Sequence, residues 1–470
     1  MLKVTVNSRN THNYIYRQIY KQLKKEILMH HFLPDEKLPS KREMAGRLNV
    51  SINSVNGAYQ QLLAEGYIYS IERSGFYVEK LDTIPLSDNT LNPLDPDLTE
   101  KGIPDEDWIS FSHMSADKSL FPYDSWLNCT HKALNSSKAG LVDNSSLISQ
   151  GVYSVRRSIC RLLSITRGVK CYPEQIIIGG GTQSLIQVLC HIFPINTKYA
   201  MEEPGYNRIY QLLKLMHLDV STIQLDNKGI DISKIKNKDL NVLYITPSHQ
   251  FPTGIIMPVS RRIQLLNWAS QDEDRYIIED DYDSEFKYET NVIPSLQGLD
   301  TYEKVIYFGT FSKSLLPGFR ISYMILPQKL LKKYRKTQNF LLQTSSVLTQ
   351  MTLRQFIDSG EYQKHIKKMK QVYSERRIKL IKTLNKKFGD NIKIHGENAG
   401  LHFLTTFDTR KTIDEVMKRA QEEKIELYSI RRCRLNPKIP VKKQFIIGFA
   451  DLSAERIEEG VERLYRAMME

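Results

Sequence analysis

Apolar positions recur at helical spacing near the start of the chain: Tyr14, Ile15, Ile19, Leu23 and Ile27, with Lys21, Lys24 and Lys25 off that stripe. The pattern predicts an amphipathic helix over residues 13–30. Ser40 stands three residues before Glu43, a capping-box spacing that opens a second helix ending near Leu48 and Asn49. Ser51 caps a third helix over residues 53–65, with Val55, Ala58, Tyr59 and Leu62 inward and Gly66 as its stop. Residues 67–69 and 76–78 alternate as short strands around Arg73-Ser74-Gly75, which reads as a hairpin. Three helices, a short Asn49-Val50 turn and a hairpin together predict a winged helix-turn-helix, an α+β module, over residues 1–80.

The pattern then breaks. Across residues 81–107 four prolines (Pro85, Pro93, Pro96, Pro104) stand among eight acids and one lysine, and both periodicities vanish. An extended acidic linker is predicted, the other reading being a structured loop along the larger domain. From Trp108 to residue 470 strands and helices alternate, the signature of an α/β fold with a mainly parallel sheet. Residues 355–385 read as one long helix, with Phe356, Ile357, Tyr362, Ile366, Met369 and Tyr373 on one face. It joins a large part, residues 108–370, to a small α/β subdomain, residues 371–470.

Composition adds a partner. The 470 residues are 41% hydrophobic and 25% charged, ordinary for a globular chain with a sizeable core, and the net charge is +13. That excess suggests a polyanion such as nucleic acid. Residues 1–80 hold 12 Lys+Arg and 7 Asp+Glu, a net of 12 − 7 = +5. On the predicted module Ser51, Asn53, Ser54 and Asn56 lie near the start of the third helix, where short polar side chains reach base edges. Ser40, Lys41 and Arg42 would meet the DNA backbone, and Arg73 with Gly75 would form the wing tip. The competing reading is a helical protein-interaction module. Five cysteines without CxxC spacing indicate neither a zinc site nor a disulfide framework, and no metal is expected. A reducing cytoplasm is the expected home, since no signal peptide or membrane span is read.

Candidate chemistry gathers where strands end. The apolar run Val305–Phe308 leads to Gly-Thr-Phe-Ser, then Lys313, then Arg320. A lysine in a mostly apolar pocket has a lowered pKa and condenses with aldehydes, and an arginine holds phosphate. Another strand runs into Gly181-Thr182-Gln183, where backbone amides at a helix start suit a phosphate, although glycines at such turns are often only tight corners. Tyr206 could stack on a flat ring, Arg208 could bind a carboxylate, and the strand end Glu279-Asp280-Asp281-Tyr282-Asp283 offers a carboxylate for a pyridine nitrogen and a phenol for a ring oxygen. Together these residue types match the needs of pyridoxal phosphate (PLP).

Leu38-Pro39-Ser40-Lys41-Arg42-Glu43-Met44-Ala45, Leu48–Val55, Leu62–Tyr67 and Gly75–Val78 resemble the DNA-binding domain of GntR-type bacterial regulators. Residues 108–470 resemble fold-type I PLP aminotransferases. That resemblance makes Lys313 the Schiff-base lysine, with Asp280 on the ring nitrogen, Tyr282 on the ring hydroxyl and Tyr206 stacked on the ring. It makes Gly181, Thr182, Gln183, Thr310, Ser312 and Arg320 the phosphate cup. Two departures stand out. Phe251-Pro252-Thr253-Gly254 replaces the usual Asn-Pro-x-Gly, and Asp280 and Tyr282 are one residue closer than is common. With Ser248–Gly254 and Glu279–Phe286, the chain resembles the MocR subfamily, which fuses a GntR-type reader to an aminotransferase-like domain. Glu202–Tyr206 and Ala58–Gly66 resemble its GabR-type members, which respond to γ-aminobutyrate. The resemblance implies a head-to-tail homodimer sensing an amine, with Arg208 and Arg431 on the effector carboxylate. The alternative is a working aminotransferase with an appended DNA-binding domain, and for the Arg431-Arg432-Cys433-Arg434 cluster a solvated basic surface.

Overall fold

The computed structural model describes residues 14–81, 94–98, 107–113, 116–136, 149–236, 238–288, 294–440 and 442–470. The chain forms two compact units, Met1–Ile103 and Pro104–Glu470. In the first, α1 (Ile15–Leu28), α2 (Lys41–Leu48) and α3 (Ile52–Ala64) precede a hairpin of β1 (Ile68–Ile71) and β2 (Gly75–Val78). Ile19, Leu23, Met44, Val55, Tyr59, Leu62, Ile68 and Val78 form its core. Both predicted caps are present: Ser40 Oγ accepts from the Glu43 amide and Ser51 Oγ from the Ser54 amide, each at 3.2 Å. Asn49, at φ 52°, ends α2 in the left-handed region that asparagine tolerates better than most residues. Most of the expected linker, residues 82–93 and 99–106, lies outside the described residues.

The second unit is built on an eight-stranded sheet. Its first segments are β3 (Ile109–Ser110), α4 (Tyr123–Ser136) and α5 (Tyr153–Arg167). Then follow β4 (Ile176–Gly179), α6 (Thr182–Cys190), β5 (Lys198–Glu203), α7 (Asn207–Leu215), β6 (Asp219–Asp226), β7 (Gly229–Ile230) and α8 (Ser233–Lys236). Next come β8 (Val242–Ile245), α9 (Val259–Ser270), β9 (Tyr276–Asp281), α10 (Leu296–Leu299), β10 (Val305–Thr310), β11 (Ser322–Ile325) and α11 (Gln328–Thr337). The strand order is β4-β11-β10-β9-β8-β5-β6-β7, with β6, β5, β8, β9 and β10 parallel and β11 antiparallel to both of its neighbours. Alternation sends Ile177, Met201, Tyr244, Ile278 and Phe308 to a face covered by α6, α7 and α11. The opposite face packs on α5 around Ile176, Ile178 and Tyr307, and on α9 around Leu243 and Ile277.

The long helix expected over 355–385 is two helices, α12 (Val347–Asp358) and α13 (Glu361–Phe388). Gly360 sits between them at φ 81°, a conformation that interrupts the ladder and that glycine adopts without a Cβ clash. The small subdomain continues with β12 (Ile392–His395), β13 (His402–Phe407), α14 (Ile413–Glu422), β14 (Ile425–Glu426), β15 (Tyr428–Ser429), β16 (Gln444–Gly448) and α15 (Ile457–Met469). Its sheet runs β12-β13-β16-β15, all antiparallel. Ile109 and Phe111, expected in the large part, belong to the small subdomain's core, because β3 pairs with β14. Their alternating apolar side chains are indistinguishable in sequence from those of a large-sheet strand. No helix among the described residues is long and apolar enough to cross a membrane.

Candidate functional site

The carboxyl ends of β4, β5, β8, β9 and β10 converge on one cavity of about 190 Å³, the place where open α/β sheets hold ligands. Its wall includes Gly181, Thr182, Gln183, Tyr206, Arg208, Asp280, Tyr282, Thr310, Ser312, Lys313 and Arg320. Residues separated by up to 139 positions thus meet because each follows a parallel strand.

One end of the cavity is built for an anion. Gly181 is the N-cap of α6 at φ 139°, and a Cβ there would stand 2.2 Å from Arg320 Nη2. The backbone turn and the guanidinium therefore approach as closely as a glycine permits. Thr310 Oγ1 donates to Ser312 Oγ at 3.1 Å, and Ser322 Oγ donates to Thr310 Oγ1 at 2.8 Å. Amides at a helix start, hydroxyls and a guanidinium form the donor set that phosphate needs.

Asp280 occupies the floor, buried, with the Tyr244 hydroxyl donating to its Oδ2. Burial pushes its carboxyl up to about 7, the Tyr244 bond opposes that rise, and Asp281 and Asp283 add to it. A cationic ring nitrogen opposite would draw it back down. Strand alternation separates its neighbours from the cavity. Glu279 accepts from the amides of Leu296 and Gln297, both at 2.8 Å, and so caps α10. Asp281 accepts from Arg167 at 2.7 Å and from the Tyr307 hydroxyl at 2.5 Å. Burial alone would raise Asp281, but the Arg167 charge holds it below the ordinary carboxylate range.

Lys313 donates from Nζ to the backbone carbonyl of His113 at 2.9 Å. Burial pushes its ammonium down to about 8, with Asp283 opposing and Arg208 assisting. Tyr282 Oη lies 3.0 Å from His249 Nδ1, which in turn lies 2.9 Å from Asp283 Oδ2. Ligand-type atoms of His249, Asp283 and His402 lie within 4.8 Å of one another, with the facing atoms of His249 and Asp283 joined in that hydrogen bond. Phe251, at the position of the missing asparagine, is buried in the wall, its ring 5.5 Å from that of Tyr206.

The two expected carboxylate-binding arginines separate. Arg208 lines the cavity. Arg431 does not: it is exposed and pairs through Nη1 with Asp414 Oδ1 at 2.6 Å. Residues 430–433 form a 3₁₀ turn, in which successive side chains point about 120° apart. Arg432 accordingly faces elsewhere, with its guanidinium 4.7 Å from the Tyr428 ring centre, and that ring lies 5.4 Å from the His113 ring. The segment is fastened to the site: the Gly205 amide donates to the Cys433 carbonyl at 2.9 Å. Glu203 Oε2 accepts from the amides of Leu435 at 2.9 Å and Asn436 at 2.7 Å. His113 is pushed down to about 3, first by burial, then by the charges of Lys313, Arg208 and Arg432. The charges of Lys313, Arg208 and Arg432 thus act together against protonation of His113.

Tyr244, His113 and Ser322 escaped sequence reading. Tyr244 sat inside an apolar strand run and looked like core, and His113 precedes any recognisable motif. In the first unit Ser40, Arg42, Ser51, Asn53 and Arg73 are exposed, while Lys41, Ser54, Asn56 and Gly75 are half-buried. Lys41 Nζ lies 4.9 Å from the Phe76 ring centre, so part of its side chain covers the hairpin.

Residues 15–78 match the model of the bacterial regulatory proteins of the gntR family, and residues 120–464 match that of aminotransferase class I and II. The chain is 38% identical over 453 residues to the uncharacterized HTH-type transcriptional regulator YdeL of Bacillus subtilis (strain 168), covering 96% of each. It is 30% identical over 470 residues to the probable rhizopine catabolism regulatory protein MocR of Rhizobium meliloti, covering 97% of this chain and 94% of that protein. Among solved structures, kynurenine aminotransferase of Pyrococcus horikoshii superimposes with a TM-score of 0.68 at 23% identity, over 77% of this chain and 91% of that one.

Proposed function

The chain belongs to the GntR-type regulators that carry an aminotransferase class I and II domain, the MocR-type architecture, and from that premise we propose that its second unit senses a small amine. It is a DNA-binding transcriptional regulator whose larger domain takes PLP. The observation that carries the sensing reading is Lys313, an amine pushed down to about 8 in a cavity that also holds an anion cup, Asp280 and Arg208.

Bound there, PLP supplies an aldehyde open to a primary amine, either that of lysine or that of an incoming ligand. In this reading Gly181, Thr182, Gln183, Thr310, Ser312 and Arg320 hold the phosphate. Asp280 faces the ring nitrogen, Tyr282 the ring hydroxyl, and Tyr206 lies against the ring. Lys313 would hold the cofactor through its Nζ amine, and whether that amine is engaged or free would be what the sensor reports. Arg208 takes the effector carboxylate. Arg432 is taken as the second guanidinium: like Arg431 it is exposed and outside the cavity lining, but Arg431 is engaged with Asp414, whereas Arg432 lies over the Tyr428 ring that adjoins His113. The effector is then an amino acid whose amine reaches Lys313 while its carboxylate reaches Arg208, with γ-aminobutyrate the first candidate. Ser40, Lys41, Arg42, Ser51, Asn53, Ser54, Asn56, Arg73 and Gly75 form the DNA-facing surface, and a head-to-tail homodimer carries the change between sites.

Absorbance titration of the PLP-loaded protein against a panel of amines tests this reading. A band shift with γ-aminobutyrate, accompanied by altered operator binding, is expected. A shift only with other amines reassigns the effector, and no shift with any primary amine removes the sensing reading. Sustained turnover of an amino donor with a 2-oxo acid would instead favour a working aminotransferase.

A further inference from the structure

Cys160 and Cys171 place their Sγ atoms 3.6 Å apart, and neither takes part in the site described above. Cys160 lies in α5, and Cys171 lies in the connection that leads to β4. Both are free thiols and only partly buried, whereas Cys129, Cys190 and Cys433 are buried. Cys160 Sγ also approaches the Cys171 carbonyl at 3.1 Å, which holds its side chain toward its neighbour. The pair opens on a surface cavity of about 710 Å³ whose wall includes both cysteines, Arg157, Arg161 and Lys170. Both cysteines therefore border a space large enough for a small solute.

We propose that Cys160 and Cys171 are an oxidisable dithiol, a modification site that hydrogen peroxide closes to an intrachain disulfide. Disulfide formation requires the two sulfurs to close from 3.6 Å to about 2.05 Å. Burial and the adjacent Cys160 hold the Cys171 thiol above its ordinary range, and oxidation that starts at either sulfur ends in the same disulfide. The Cys160 thiolate attacks one peroxide oxygen, the O–O bond breaks, and one water leaves behind a sulfenic acid. Cys171 sulfur then attacks that sulfur, the S–O bond breaks, and the hydroxyl leaves as the second water with the Cys171 proton. Two thiols lose two electrons and two protons, and one peroxide becomes two waters. The new bond ties α5 to the connection entering β4, the strand that ends at the Gly179–Gly181 turn.

The test uses the full-length, PLP-loaded protein treated with hydrogen peroxide and then denatured. The thiol titre is expected to fall from five to 5 − 2 = 3, and the intact mass to fall by about 2 Da. Arg161, Arg167 and Lys170 lie between the two cysteines, so trypsin separates their peptides unless a disulfide joins them. Joined peptides that part on reduction are the expected result. Cys160→Ser and Cys171→Ser should each abolish the joined pair, and two variants guard against one failing to fold. Oxygen addition without joined peptides, a disulfide involving another cysteine, or joined peptides surviving in either variant would overturn the proposal.

Discussion

Lys313 carries a pH signature. Its ammonium is pushed down to about 8 by burial, against roughly 10.4 for an unperturbed lysine. Only the free base attacks an aldehyde, so PLP uptake by the apo-protein should quicken as pH rises and level off above about 8. Stopped-flow absorbance on both sides of that value measures it, and a flat profile would remove Lys313 as the attacking group. The stability sign follows from the same shift. The folded pKa lies below the unfolded one, so between them the unfolded chain binds more protons. Apo-protein stability should therefore rise with pH from about 8 to roughly 10.4. Lys313→Met should remove that rise in chemical denaturation. The arginines give a second contrast. A hydrogen bond to a charged group contributes about 1.5–3 kcal/mol, so Arg432→Ala should weaken effector binding about 10- to 150-fold. Arg431→Ala removes an exposed pair with Asp414, and such pairs contribute about 0–1 kcal/mol. Its effector titration should be nearly unchanged, and the opposite ranking would return the role to Arg431.

Among the elements, the β4–α6 turn is tightly constrained. Gly181→Ala would drive a Cβ to 2.2 Å from Arg320 Nη2 at a φ of 139°. The turn or the guanidinium must then move, so PLP affinity should fall at least tenfold with the far-UV circular dichroism unchanged. Equilibrium dialysis of PLP against the variant decides it, and wild-type affinity would show that the cup tolerates the shift. This turn was legible in sequence, as were the ends of β5, β9 and β10, because glycine, aspartate and lysine break an apolar run where a strand stops. The fate of each acid along Glu279-Asp280-Asp281 was not legible. Alternation states that Asp280 opposes its neighbours, but which face meets the ligand depends on helices packed from elsewhere. The direction of each arginine in Arg431-Arg432-Cys433-Arg434 was not legible for a related reason: a 3₁₀ turn redirects adjacent arginines, and no periodic pattern announces a turn so short. The α12–α13 break was missed because one apolar face continues across Gly360.

For the whole molecule, the two units have separate cores, one around Met44, Tyr59 and Leu62, the other in and around the eight-stranded sheet. Separate cores make separate cooperative transitions the expected behaviour. Leu62 is fully buried in α3, and truncating a buried leucine to alanine costs about 2–5 kcal/mol. A module of this size has little stability in reserve, so Leu62→Ala should unfold the first unit at a markedly lower temperature and abolish operator binding. The same variant should keep its PLP absorbance and its response to amine, since none of those residues lies in the first unit. Calorimetry followed by an amine titration on one preparation separates the outcomes. Loss of the amine response together with DNA binding would mean that the sensing cavity depends on the reader, and that effector and operator are coupled through folding as well as through a two-state shift.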